Sequence, residues 1–171
     1  PSAVSTYIVA IPEIVEGVNT PSVNWRFPSE SAKAIVQSIS CDVNVLVVDD
    51  NSPDGTGKLV EKLKLTNPKI DVLHRIKKAG LGTAYVAGFK AAIKKGADLI
   101  FEMDADLSHE PKYIPSFLSA AKSYDLVLGS RYIKGGGVSN WNLSRRLISR
   151  FGNIYARLIL GLPYHDLTGG F

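Results

Sequence analysis

Four acidic residues fall in two tight groups, each directly after an apolar, β-branched run. "LIFEMDADLSHEP", Leu99 to Pro111, carries Asp104 and Asp106 with Ala105 between them, and "VNVLVVDDNSPDGTG", Val43 to Gly57, carries Asp49 and Asp50. Burying an unpaired carboxylate costs on the order of several kcal/mol, so carboxylates at a strand end call for solvent, hydrogen-bond donors or a cation. Asp-x-Asp in that place suits Mg²⁺ or Mn²⁺, hard cations that take oxygen ligands and are typically held by one or two carboxylates together with phosphate oxygens. The plainer alternative is turn chemistry, with Asp104 capping the next turn and Asp106 solvated. For Asp49 and Asp50 the options are hydrogen bonds to a nucleotide base or ribose, or a helix cap ahead of Thr56 to Leu65.

Other residues add weaker signals. "RIKKAGLGTAY" holds Gly80 and Gly82, where backbone could approach a phosphate at a helix start or simply form a tight strand-to-helix turn. His74, His109 and His165 lack metal-ligand spacing and read as ordinary hydrogen-bonded or surface histidines. No acidic residue occurs between Asp125 and Asp166, whereas Arg131, Lys134, Arg145, Arg146, Arg150 and Arg157 all fall there. An acid-free basic stretch suits an anionic partner such as phosphate, nucleic acid or a membrane surface, or else a solvated helix face.

The elements that must position these residues alternate in period. "TYIVAI" (Thr6 to Ile11), "VNVLVV" (Val43 to Val48), "IDVLH" (Ile70 to His74), "LIFEM" (Leu99 to Met103) and "YDLVLG" (Tyr124 to Gly129) read as strands. Helical spacing predicts one stripe of Val86, Phe89 and Ile93 and a second of Ile114, Phe117, Leu118 and Ala121, with Pro111 in the first turn of the latter. A longer helix over Leu143 to Leu160 would bury Leu147, Ile148, Phe151, Tyr155 and Leu158 in the core, a membrane-surface role being the second reading. "NTPSVNWRFPSES" reads as a loop before a short helix at Ala32 to Ile39, and "YIKGGGVSNW" as a glycine-rich loop of the kind that often forms a lid. Continuous apolar strands alternating with helices predict an α/β fold, a mostly parallel central sheet with helices on both faces, whose ligands sit at the carboxyl ends of the strands. Both acidic pairs fall on that edge.

Composition agrees with one globular domain spanning 1–171. The chain has 171 residues, 45% hydrophobic and 21% charged, with a net charge of +4. Cys41 is the only cysteine, so no disulfide can form within the chain. No apolar run approaches the ~18 residues of a membrane span, and the amino terminus lacks a signal-peptide pattern, which predicts a soluble or peripheral protein. Opening at a proline and stopping at "DLTGGF", the sequence reads as a piece truncated at the C-terminus.

Taken in order, "VVDDNSPDGTG", "RIKKAGLGTA", "MDADLSHEP", "LGSRY", "NWNLSRRLIS" and "DLTGGF" resemble the polyprenyl-phosphate mannosyltransferases, the dolichol-phosphate mannose synthases of glycosyltransferase family 2, with a GT-A fold. The resemblance covers about Val43 to Phe171. It implies an inverting, metal-dependent transfer of mannose from GDP-mannose to a polyprenyl or dolichyl phosphate, on the cytoplasmic face of a membrane (endoplasmic reticulum or plasma membrane), with no nucleic-acid partner. On this resemblance Asp104 contacts the ribose or the Mg²⁺ or Mn²⁺ site, Asp106 ligates the metal, and Ser108 stands where some relatives carry a metal-ligating glutamine. Asp49 and Asp50 would hold the nucleobase, Lys78, Gly80 and Ala105 would join the donor site, and Arg131 and Arg145 would bind the diphosphate or the acceptor phosphate. The family's opening Pro-Thr-Tyr-Asn-Glu reads "PEIVE" here. Pro12 and Glu16 keep the spacing, but the tyrosine and asparagine are replaced.

The chemistry expected on that resemblance needs no general base. A phosphate monoester has a second pKa of about 6 and is mostly a dianion near pH 7. What remains is alignment, stabilisation of the departing nucleoside diphosphate and neutralisation of the incoming phosphate by arginines. UDP-glucose is the alternative donor, and a non-catalytic nucleotide-sugar-binding module of the same fold is the alternative role. A receiver-type signalling domain also opens with "VLVVDD" but needs a phosphoacceptor aspartate after its third strand, where this chain reads "VLHRIKK".

Overall fold

The β-branched runs pair into a parallel sheet. The computed structural model describes residues 5–11, 43–104, 109, 111–133, 142–164, 166, 167 and 169. Among them, β1 (Thr6–Ile11), β2 (Val43–Asp49), β3 (Ile70–His74) and β4 (Leu99–Asp104) pair in the order β3-β2-β1-β4, every pair parallel. Parallel strands that follow one another in the chain need long crossovers, and two of those described contain helices. α1 (Thr56–Thr66) joins β2 to β3, and α2 (Leu81–Lys94) joins β3 to β4. Past β4, a 3₁₀ turn at Pro111–Tyr113 leads into α3 (Ile114–Ala120), and α4 spans Leu143–Leu160. The chain forms two compact units, Pro1–Leu118 with the sheet and Ser119–Phe171 with α4.

Successive strand residues point to opposite faces, and here both faces are covered. Ile8 and Val9 of β1 are each 0% exposed, and β2 buries Val45, Leu46, Val47 and Val48 in succession. On one face, Val9, Leu46 and Val48 cluster with Ala84, Tyr85 and Ala92 of α2. Gly88 makes that approach possible, because a Cβ there would run into Val9 and come within 3.0 Å of Val48 Cγ2. The face of α2 that packs is therefore Ala84, Tyr85, Gly88 and Ala92, and the expected stripe is displaced from it. Val86 and Ile93 are 50% and 63% exposed, with only Phe89 partly buried. Small residues win the contact because close packing of helix on sheet rewards the surface that lets backbones approach.

Ion pairs tie the far ends of the crossovers together. Asp71 of β3 accepts Lys64 Nζ of α1 at 2.7 Å and Lys95 Nζ, just after α2, at 2.6 Å. Burial alone would raise the Asp71 carboxyl, but hydrogen bonds from the two lysines outweigh it and lower the pKa to about 2.

Two further expectations change. Tyr124 to Gly129 is not a strand; Leu126 and Leu128 stay 62% and 40% exposed. Among the described residues β4 has β1 as its only ladder partner, and an apolar run becomes a strand only where a neighbour takes up its backbone N–H and C=O groups. The stripe on α3 does face inward, with Ile114 buried and Phe117 edge-on to Phe101 at 5.7 Å. The helix expected at Ala32 to Ile39, the loop before it and residues 134–141 of the glycine loop lie outside the described residues.

Gly88→Val should destabilise the protein by about 1–3 kcal/mol through overpacking against Val9 and Val48. By contrast Gly152→Ala on α4, where a Cβ meets nothing within 4 Å, should stabilise by up to ~1 kcal/mol through helix propensity. Urea unfolding of both variants measures the contrast, and equal shifts would contradict the packing assigned to Gly88.

Candidate functional site

Reversal of strand order at β1 decides where a ligand can sit. β2 and β3 lie on one side of β1 and β4 on the other, and the carboxyl ends of β1 and β4 are the position at which sheets with such a reversal carry their ligand crevice. Ile11 pairs with Asp104 in the last register position, so Asp104 stands at that crevice. Its carboxylate is half-buried, and Tyr85 Oη of α2 donates to Oδ1 at 2.6 Å. Its backbone N–H donates to His109 Nδ1 at 3.0 Å, which uses the tautomer with the ring proton on Nε2. Burial, and then the Asp104 charge two residues on, pushes the Glu102 carboxyl above its ordinary value.

The second acidic pair stands at the end of β2 and is held by the end of β3. Asp49 is buried. It accepts Ser52 N–H at Oδ1 (3.2 Å), and His74 Nδ1 lies 3.4 Å from Oδ2. His74 also reaches Glu61 of α1 through Nε2 at 3.1 Å. Gly57 lets the first turn of α1 close over this cluster, since a Cβ there would strike Asp49 Oδ2 and come within 2.8 Å of His74 Cε1. Asp50 faces Arg75, whose Nη1 donates to Oδ2 at 3.2 Å and lies 2.9 Å from Oδ1. That ion pair compensates charge without a directed hydrogen bond to the buried Oδ1. Arg75 Nη2 continues to Thr83 Oγ1 at 2.7 Å, tying the pair to the start of α2, where Gly80 takes a positive φ of 95°. A cavity of about 330 Å³ opens beside Asp49, lined by Asn51, Ser52, Lys58 and His74 among others.

In the second unit Arg131 is fastened to a residue to which the motif reading assigned no role. Asp166, its side chain 0% exposed, accepts Arg131 N–H at 2.9 Å, Nε–H at 2.9 Å and Nη2–H at 2.6 Å. The hydrogen bond to Asp166, opposed by burial, holds the guanidinium pKa above its ordinary value. α4 reaches the same segment through a polar stripe: Ser149 Oγ lies 2.8 Å from Tyr132 Oη, and Asn153 Oδ1 accepts Leu167 N–H at 2.7 Å.

That stripe overturns the expected core face of α4. Asn153 is buried and Ser149, Ala156 and Arg157 partly so, whereas Leu147, Ile148, Phe151, Tyr155 and Leu158 are 47%, 72%, 67%, 69% and 78% exposed. At 3.6 residues per turn these five outward apolar residues cover an arc of roughly 100°. The inward face is small and polar because hydrogen bonds to residues 132 and 167 select it. No helix of the described residues is long and apolar enough to cross a membrane.

The structure thus brings Asp49, Asp50 and Asp104 to one edge of one sheet, with Lys78 exposed in the loop before α2 and Gly80 at its start. Pro12, Glu16, Ala105, Asp106 and Ser108 lie outside the described residues, as does the side chain of Arg145. Among the described residues no three His, Cys, Asp or Glu side chains converge as a metal site, and of the expected ligands Asp104 alone is described. A half-exposed carboxylate anchored at one oxygen, at a switch-point crevice, fits a hard cation. Sequence reading expected His74 as a hydrogen-bonded histidine, as found, but gave no site role to it or to Arg75, Tyr85 and Asp166. "HR" at the end of "VLHR" was the available signal for two of them, since the parallel register sets Asp49 against His74.

The sequence profile described as Glycosyl transferase family 2 matches residues 30–171. The chain belongs to glycosyl transferase family 2. Within the family it is 48% identical over 128 residues to the undecaprenyl-phosphate mannosyltransferase of Micrococcus luteus, covering 75% of this chain and 53% of that protein. It is 42% identical over 166 residues to the polyprenol monophosphomannose synthase of Mycolicibacterium smegmatis, covering 96% and 59%. The chain therefore spans little more than half the length of these curated relatives. Among solved structures it matches the mannosyltransferase PcManGT from Pyrobaculum calidifontis in complex with GDP-Man and Mn²⁺, at a TM-score of 0.42 and 20% identity over 61% of this chain and 28% of that one. The parallel α/β sheet is the architecture expected of a GT-A member of family 2.

One consequence for this family 2 sheet edge is a pH dependence. With carboxylates facing both ring nitrogens, a protonated His74 supplies a donor to each and a neutral ring supplies only one. The Glu61 hydrogen bond, opposed by slight burial and joined by Asp49, raises its pKa. The stabilisation is fully present below the ordinary histidine value of about 6.5 and is lost as pH rises through the raised folded value. His74→Gln should lower Tm most at about pH 6 and least at about pH 9. A Tm gap that widened with pH would contradict the bridge.

Proposed function

We propose that this family 2 domain catalyses the inverting transfer of mannose from GDP-mannose to a polyprenyl phosphate. The single observation that carries the reading is the 42% identity to a polyprenol monophosphomannose synthase, which extends over 96% of this chain. The sheet edge supplies chemistry that suits it. Asp50 Oδ1, buried, ion-paired with Arg75 and without a directed hydrogen bond among the described residues, is an acceptor suited to a guanine N–H edge. Asp104, with Asp106 and Ser108, would hold Mg²⁺ or Mn²⁺, which when bound neutralises charge on the departing diphosphate. Lys78 and Gly80 suit the diphosphate, and Pro12, Glu16, Asp49 and Ala105 complete the donor-binding set.

The acceptor arrives as an anion, so the protein has a charge to neutralise and no proton to remove. Arg131 and Arg145 take that role. An arginine meets a phosphate through two parallel N–H bonds, which fixes direction as well as charge. A polyprenyl chain confines its phosphate to a bilayer surface, and the outward apolar arc of α4, edged by exposed Arg146 and Arg150, is suited to lie there. The domain would then work as a peripheral protein on the cytoplasmic face.

Mixing the full-length protein with labelled GDP-mannose, a short polyprenyl phosphate and Mn²⁺ should yield labelled polyprenyl-phosphate mannose. Asp106→Asn should reduce that yield by about 10²-fold or more, since it removes a metal-ligand charge. Transfer from UDP-glucose but not from GDP-mannose would overturn the donor assignment.

Flotation with anionic vesicles tests the membrane reading. Each basic side chain near an anionic surface contributes about 1 kcal/mol, so binding should weaken as salt rises, and Ile148→Glu with Leu158→Glu should weaken it at low salt too. Binding indifferent to both changes would exclude α4 as the contact.

A further inference from the structure

Asp166 opens the "DLTGGF" segment, and neither the donor site nor the metal chemistry makes use of it. A buried carboxylate with one partner removed is strongly destabilising, so its surroundings indicate what it is for. Arg131 donates three hydrogen bonds to it, through the backbone N–H, Nε and Nη2. The Nε–Nη2 fork meets both carboxylate oxygens, which sets the plane of the guanidinium and hence the direction in which Nη1 points. The carboxylate is itself located from behind. Asn153 of α4, buried, accepts the N–H of Leu167 at 2.7 Å and donates Nδ2–H to Ser149 O at 3.0 Å, so the residue next to Asp166 is pinned to the helix. Gly169 lies close to Gly129, where a Cβ would approach the Gly129 carbonyl at 3.3 Å. Tyr132 is held to the same helix through Ser149 at 2.8 Å.

We infer that Asp166 is a positioning residue for Arg131: a buried carboxylate, registered on α4 by Asn153, that aims the guanidinium at the acceptor phosphate. This rests on the reading of Arg131 as an acceptor-phosphate ligand and adds the residue that makes it directional. Arg131 left to itself would sample many rotamers, and a displaced phosphate ligand costs rate as well as affinity.

The test uses the full-length protein with two measurements, calorimetric binding of farnesyl phosphate and mannosyl transfer kinetics with each substrate varied. Asp166→Asn should lower both farnesyl phosphate affinity and acceptor kcat/KM by about tenfold or more, with KM for the donor changed less than about twofold. In an Arg131→Ala background the same change should cost nothing further, because the role passes through Arg131. Asn153→Ala should give a smaller loss in the same acceptor parameters, and it carries the test if Asp166→Asn fails to fold. Asp166→Glu, which keeps the charge, should recover part of the loss. Multiplying losses in the double variant, or a fall in Tm with acceptor binding and kinetics unchanged, would overturn the assignment. Wild-type protein that binds farnesyl phosphate without transferring mannose would defeat the functional reading and leave Asp166 to be decided by the binding ratios. Absence of wild-type binding would defeat both.

Discussion

Parallel pairing of β1 with β2 on one side and β4 on the other is the constraint from which the site follows. Because the chain lays out β2 and β3 in one direction and then returns to the opposite side of β1, the strand order reverses between β1 and β4, the position at which sheets of this kind seat their ligands. Parallel strands also send all their carboxyl ends to one edge. Asp49 and Asp104 thus share an edge although 55 positions separate them, and no local feature of either segment could arrange that.

Each acidic group on that edge is accommodated differently, and the differences suggest a division of labour. Asp49 is enclosed by Ser52 and His74, with Gly57 permitting the approach, which makes it a fixed post at the carboxyl end of β2. Asp50 is charge-compensated by Arg75 yet keeps a buried oxygen without a hydrogen bond, the state of a group suited to a ligand's donor. Asp104 is anchored at one oxygen by a buried tyrosine and remains half-exposed. Burying carboxylates in a stable sheet costs energy that only specific partners offset, and apart from Ser52 these partners, His74, Arg75 and Tyr85, come from β3, the residue after it and α2.

α4 shows the reverse of ordinary helix burial. Its polar stripe faces inward because Ser149 and Asn153 find partners there, and its apolar residues are left outside. A helix usually turns its oily side to the core, since that is where the largest transfer free energy lies. When the oily side stays outside, an apolar surface beyond the described chain is the natural partner. The proposed lipid-linked acceptor supplies one, and the arrangement leaves the same helix to register Asp166 behind Arg131.

How much could be read from the sequence differs by level. Strand identity was legible for β1 to β4 because runs such as "VNVLVV" are β-branched and apolar on both faces, and the acidic pairs were legible because carboxylates rarely follow such runs without reason. The parallel α/β class followed from alternation of period, and the family from six ordered motifs. Local pattern failed where a residue's neighbours come from far away. Val86 and Ile93 have helical spacing, but the docked face of α2 was chosen by Gly88, whose value lies in what Val9 and Val48 would otherwise strike. "YDLVLG" has the composition of a strand without a ladder partner among the described residues. Arg75 and Tyr85 became site residues only when register and helix rotation aimed them at Asp50 and Asp104. The sequence by itself determined which residues carry charge, which runs want to be strands and which lineage the chain belongs to, because those are properties of residue type and order. Tertiary structure alone decided which carboxylate meets which donor and which face of α4 is buried, because hydrogen bonds and close packing depend on distances that span tens of residues along the chain.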